Sequence, residues 1–298
     1  DADDPLHLWA RLAFDANQDE THLAKQATAV LHDMVQSARQ SEDNKVELIV
    51  DFGTLDAESW PVDGSAFGVA PIQVGQPLLS TNAQRPLAGI ATHGAARRDL
   101  AFNGLKLAPG SMRDHGKSGG WQRIGQSIRT PTFTVKDGPV HYLVRGAGRA
   151  FAVVDSHRLI QGPLHGEVLM EWNDDNKGEL RWVTYNLTRH QGHRVHVEFS
   201  PRGNGELEIL QVVQGPRAPP VPQSNIASIL DQRLQKKEEY QLVAIAKGYQ
   251  SLLLDANERI ERGINRDENN ARDFAALADW MVKHPSLLIE ADSKVKPS

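Results

Sequence analysis

The chain has 298 residues, 40% of them hydrophobic and 24% charged, with a formal net charge of -5, enough apolar material for one substantial core or two smaller ones. The acidic balance gives no general attraction for nucleic-acid phosphates or anionic lipid, and aromatic and basic residues do not interleave as a nucleic-acid strip requires. Zero cysteines exclude disulfides, thiolate catalysis, Cys-ligated zinc and a covalent c-type haem, which needs Cys-x-x-Cys-His.

The opening "DADDPLHLW" carries no starting Met or signal peptide, and no apolar run approaches membrane-spanning length. The chain is therefore expected to be a fragment or mature piece without a membrane span. Residues 1–44 read as helical: Asp4 can cap, Pro5 suits the first helical position, and Leu6, Trp9, Leu12 and Ala13 recur at three- and four-residue spacing. A second run, with Leu23, Ala27, Val30, Leu31 and Met34, continues the pattern. Two such helices cannot fold alone and need a packing partner.

Over residues 45–215 the period changes to two. "KVELIVDFG", "TPTFTVKDG", "PVHYLVRGAG", "AFAVVD", "RWVTYNLT", "HRVHVEFS" and "ELEILQVV" each predict a strand. Between His193 and Phe199 the alternation points Val195, Val197 and Phe199 to one face and Arg194, His196 and Glu198 to the other. Seven or more short strands without long intervening helices predict an antiparallel β-sandwich rather than a parallel sheet. "GAGRAF" from Gly146 reads as a tight hairpin between two strands.

"GPRAPPVPQ", Gly215 to Gln223, is a stiff linker that ends the sandwich. Residues 216–298 are then the linker and a C-terminal helical segment. Ser224 or Asn225 caps one long helix carrying Ile226, Ile229, Leu230, Leu234, Leu242, Ile245, Tyr249 and Leu253, with Lys236 to Glu239 on its solvated face. A final helix holds Phe274, Leu277, Trp280 and Met281 before Pro285. The fold class is thus mainly β with flanking α: an antiparallel jelly-roll β-sandwich plus terminal helices.

The succession "SIRTPTFTV", "HYLVRGAG", "VVDSHRLIQGPLHG", "RWVTYNLTRHQGHRVHVEF" and "GELEILQVV" resembles the galactose-binding-like jelly-roll segment of large exported planctomycete proteins that also carry c-type cytochrome domains. "DPLHLWARLA" and "LADWMVKHPSLL" resemble the helical segments around that insert. The resemblance implies a carbohydrate-binding, extracytoplasmic module, periplasmic, cell-surface or secreted, with a glycan or polysaccharide and neighbouring domains of a larger chain as partners. A structural calcium is common among jelly-roll modules, and Asp51 or Asp63 could supply oxygen ligands for one, although no calcium-loop pattern is present.

Sugar recognition needs planar side chains against C–H faces and paired donors and acceptors for vicinal hydroxyls. Asp155, His157, Arg158 and His165 gather on one stretch after the Phe151 to Val154 run, and Trp182, His190 and His193 should lie near it if hairpin order is simple. These seven are the candidate ligand-binding residues. The competing reading makes Asp155 an Asx turn and His157 and His165 loop pins. In "HQGHRVH" the three-residue spacing of His193 and His196 puts them on opposite faces of a strand, which argues against a metal site. Glu167 and Glu171 are acids without a fixed separation, and the nucleophile elbow, Walker loop, dinucleotide fingerprint and zincin helix are all missing. The expected function is a non-catalytic carbohydrate-binding module without a cofactor of its own; the alternative is a scaffold or protein-docking module. An exposed aromatic near Asp155 would favour the first, and buried aromatics with an apolar surface patch the second.

Overall fold

Period-two patterning resolves into two antiparallel sheets whose inner faces share one core. The computed structural model describes residues 5–13, 19–39, 46–80, 82–102, 126–156, 168–175, 178–203, 205–223, 225–235 and 240–287. The strands are β1 (Glu47–Asp51), β2 (Val62–Gly64), β3 (Pro77–Leu79), β4 (Leu87–Ile90), β5 (Ala96–Arg97), β6 (Gln126–Arg129), β7 (Phe133–Thr134), β8 (Val140–Gly146), β9 (Gly148–Val154), β10 (Leu169–Trp172), β11 (Arg181–Tyr185), β12 (Arg194–Pro201) and β13 (Leu207–Gln214). The helices are α1 (His7–Ala13), α2 (Glu20–Arg39), α3 (Ile226–Arg233), α4 (Leu242–Arg262) and α5 (Ala271–Lys283).

One sheet runs β1-β13-β8-β11, with β5 also on β13; the other runs β10-β9-β12-β6-β2, with β7 on β12. Counting β1, β6, β8, β9, β10, β11, β12 and β13 in chain order, the first sheet holds strands one, eight, three and six, and the second holds five, four, seven and two. That interleaving is the double Greek key of a jelly roll. Val195, Val197 and Phe199 face inward as expected, fully buried with Val140, Tyr142, Val144 and Ile209. His196 on the other face is also mostly covered, its side chain 14% exposed and bonded to Glu198.

The Gly146 turn is a corner rather than a hairpin. β8 and β9 belong to different sheets, and Gly146 turns the chain between them at a φ of 81°. A β-carbon there would lie 2.0 Å from the Glu206 carbonyl oxygen, so both conformation and space require glycine.

The chain forms two compact units: Asn44–Ile72 with Gly94–Val221, and Asp1–Asp43 with Gln73–His93 and Pro222–Ser298. Residues 73–93, read in the sequence as part of a continuous sandwich, therefore belong with the terminal helices. The cause is the β3–β4 hairpin, which packs on α5: the Ile90 amide donates to Asp279 Oδ1 at 2.9 Å. A β-carbon on Gly89 would lie 2.3 Å from that same oxygen.

In the helical unit, Leu8, Leu31 and Val35 share a core with Ile226, Leu230, Ile245, Tyr249 and Phe274, so each end of the chain supplies the packing partner that the other lacks. The expected single long helix after Asn225 is instead two, α3 and α4. Gln235 takes a left-handed conformation, φ 67°, just past α3, a backbone that ends a helix. Tyr240 then anchors the connection, donating its hydroxyl to Asp231 at 2.6 Å. Among the described residues, no helix is long and apolar enough to cross a membrane.

Candidate functional site

At one end of the sandwich the segment before β8, the end of β9 and the turn before β12 meet. Backbone bonds fix them: Gly192 N donates to Val135 O at 2.8 Å, Val135 N to His193 O at 3.0 Å, and Asp155 N to Arg194 O at 2.8 Å. Asp155 and Ser156 both adopt left-handed backbone, with φ of 45° and 69°, so the chain turns sharply as it leaves β9.

The Asp155 carboxylate reaches across that turn. Its Oδ2 accepts from His193 Nδ1 at 2.5 Å, and its Oδ1 from the Arg194 amide at 3.1 Å. The carboxylate therefore bonds the start of the neighbouring strand and the residue before it, partners that the Asx-turn reading did not name. Both side chains of the pair remain about half exposed, 49% for Asp155 and 52% for His193. His190 closes a short 3-10 turn, Thr188–His190, and His193 N donates back to His190 O at 3.0 Å. This brings the two rings to a centroid separation of 6.4 Å with planes at 82°. The arrangement offers carboxylate acceptors and imidazole nitrogens at the surface on a backbone held by strand ends.

Of the seven residues named from sequence, Asp155, His190 and His193 come together here. His157, Arg158 and His165, like Glu167, lie outside the described residues. Trp182 does not join them. It sits on β11, opposite Leu143 of β8, and packs on the outer face of the other sheet with Leu143, Leu210 and Val221. Simple hairpin order fails because the jelly roll sends β11 and β12 to opposite sheets.

Several acids named earlier have structural employment. Asp51 Oδ1 accepts from Gly53 N at 2.9 Å and its Oδ2 from Gln211 at 2.7 Å, so one oxygen holds the turn after β1 and the other ties β1 to β13. Asp63 lies on β2 opposite Ser127. Glu171 pairs with Arg149 at 2.5 Å.

A polar network that sequence reasoning missed lies at the β12–β13 turn. Glu208, only 4% exposed, bridges Arg97 and Arg145, each at 2.9 Å. The neighbouring Arg98 donates to the Gly203 and Gly205 carbonyls at 2.8 Å, and burial pushes its pKa down from the ordinary value. Period-two reading places Glu208 on the outer face; only the strand register shows that it meets arginines from β5 and β8. Compared with known proteins, the chain matches no family model, no curated protein and no solved structure.

Proposed function

We propose that this chain is a non-catalytic carbohydrate-binding module that holds a glycan at the loop end where Asp155, His190 and His193 meet. The observation that supports this reading is the Asp155–His193 pair: exposed enough to be reached, yet tied by backbone bonds to β9 and β12. A fixed acceptor beside imidazole groups suits adjacent sugar hydroxyls, each of which both donates and accepts, and loops on a rigid scaffold are where binding residues concentrate. Binding by a few hydrogen bonds corresponds to millimolar to micromolar affinity, about 4 to 8 kcal/mol. Avidity within a larger exported chain, the setting the family resemblance implies, would raise it.

The test is a glycan array on the intact chain followed by titration of any hit with the parent and His193→Ala. The reading expects binding in the parent and a loss of about tenfold or more in the variant, roughly 1.4 kcal/mol, at an unchanged melting temperature. No glycan retained at millimolar concentration would overturn it.

A second reading, a scaffold or protein-docking module, is favoured by one observation. Among the described residues, the large exposed hydrophobic side chains are all aliphatic: Leu48, Val69, Leu79, Leu87, Val243 and Leu254. An aromatic platform for sugar stacking is thus missing from them, and a blank array would leave docking as the better account.

A further inference from the structure

We infer that His190 and His193 form a two-imidazole site for a divalent transition metal, zinc or copper, with Asp155 as the positioning group. The spacing argument against metal concerns His193 and His196 and leaves the pair His190 and His193 open. In the structure the 3-10 turn at Thr188–His190 precedes β12, and the three-residue step from His190 to His193 spans that turn. The rings that a strand would separate become neighbours, 6.4 Å apart between centroids. His196, on the strand proper, is bound instead to Glu198 at 3.2 Å.

The hydrogen bond to Asp155 supplies the second observation. A carboxylate only accepts, so His193 Nδ1 carries the proton at the 2.5 Å contact. In the neutral ring, that leaves Nε2 as the nitrogen with the lone pair. A ligating histidine whose other nitrogen donates to a carboxylate is the usual outer-shell arrangement of metal sites, fixing tautomer and ring direction and raising ligand basicity.

With metal–nitrogen bonds of about 2.0 to 2.1 Å, two imidazoles on one ion stand about 5 Å apart between centroids at a tetrahedral angle. The rings here need to close by about 1 to 1.5 Å, a side-chain rotation open to the partly exposed His190 while Asp155 holds His193 in place. Imidazole nitrogen selects zinc, copper or nickel over calcium or magnesium, which prefer oxygen. Among the described residues, no group of three or more His, Asp or Glu side chains is placed to hold a metal ion together. The site thus has two protein ligands and leaves its other positions to water, with copper expected to bind more tightly than zinc.

The inference does not rest on glycan recognition, and its test contains no sugar. Zinc chloride and copper chloride are titrated into the intact chain by calorimetry, with histidine ring nitrogen shifts followed by NMR. One site per chain is expected, weakened about tenfold or more in His190→Ala and in His193→Ala, and unchanged in His196→Ala. Asp155→Asn should weaken binding and shift the His193 tautomer signal before metal is added, a readout that a merely structural role would not move. The His190→Ala/His193→Ala double variant, folded by circular dichroism yet binding zinc and copper as the parent does, would overturn the site. Unchanged affinity and tautomer in Asp155→Asn would overturn the positioning role.

Discussion

Tyr142 on β8 and Phe199 on β12 meet edge to face across the sandwich, their ring centroids 4.9 Å apart and their planes at 86°. Both side chains are fully buried, and each comes from a different sheet, so the pair ties the two layers together. Phe199→Ala should cost about 3 to 5 kcal/mol. Denaturant titration should show a lower midpoint with an unchanged slope; an unshifted midpoint would refute the inward facing of Phe199.

The Tyr142 hydroxyl is buried without a hydrogen-bond partner, and burial, with the nearby Tyr185, pushes its pKa well above 10.0. The native state therefore keeps this proton when the unfolded chain has lost it. The stabilisation is present in full below the unfolded tyrosine pKa, about 10, and drains away as pH rises from there through the native value. Tyr142→Phe should be neutral or stabilising by about 1 kcal/mol at neutral pH, since it deletes an unsatisfied polar group. It should also flatten the alkaline loss of stability, measured by melting temperature across pH 8 to 11.

Gly146→Ala combines a left-handed backbone with a β-carbon 2.0 Å from a carbonyl oxygen. Backbone must move, so the loss should exceed about 2 kcal/mol. Gly192→Ala is the control, with φ of 84° but no atom within 4 Å of the added carbon, and should cost about 1 to 2 kcal/mol. Equal melting temperatures in the two variants would show that the close approach to Glu206 does not matter.

In the helical unit, Asp255 accepts from Arg233 at 2.6 Å and from Arg259 at 3.0 Å. Burial pushes this carboxyl up, but the two guanidinium bonds outweigh it and hold its pKa below the usual value. A depressed native pKa gives stability that is present above the unfolded carboxylate pKa, about 3.9, and lost as pH falls through the native one. Asp255→Asn should lower the melting temperature at pH 7 and much less at pH 2, an effect of about 1 kcal/mol or less for a partly exposed pair.

How much of this was legible in the residues depends on distance along the chain. Alternation at Val195, Val197 and Phe199 is local and reads directly as an inward face. The break between α3 and α4 was hidden because Leu230, Leu234, Leu242 and Ile245 keep helical spacing across it, and nothing in the residue type of Gln235 announces a left-handed turn. β3 and β4 escaped because three- and four-residue strands carry too little alternation. The candidate site was half visible: the polar cluster at Asp155 is local, whereas its bond to His193 depends on Val154 pairing with Val195, a register no local pattern encodes. Trp182 was misplaced because chain order does not give sheet order.

The inserted hairpin makes the sandwich unit discontinuous, and its two break points are already stitched. Ile72 N donates to Ala95 O at 3.0 Å, and Ala95 N donates back to Ile72 O at 3.2 Å, both residues within the sandwich unit. Cutting the gene at 45 and 215 would strand residues 73–93 without the α5 surface on which β4 packs. Splicing Ile72 to Gly94 through a short glycine-rich bridge would instead follow a closure that the backbone makes for itself. The sandwich is therefore modular along a seam that linear boundaries cross, and the hairpin should travel with the helices in any dissection of this chain.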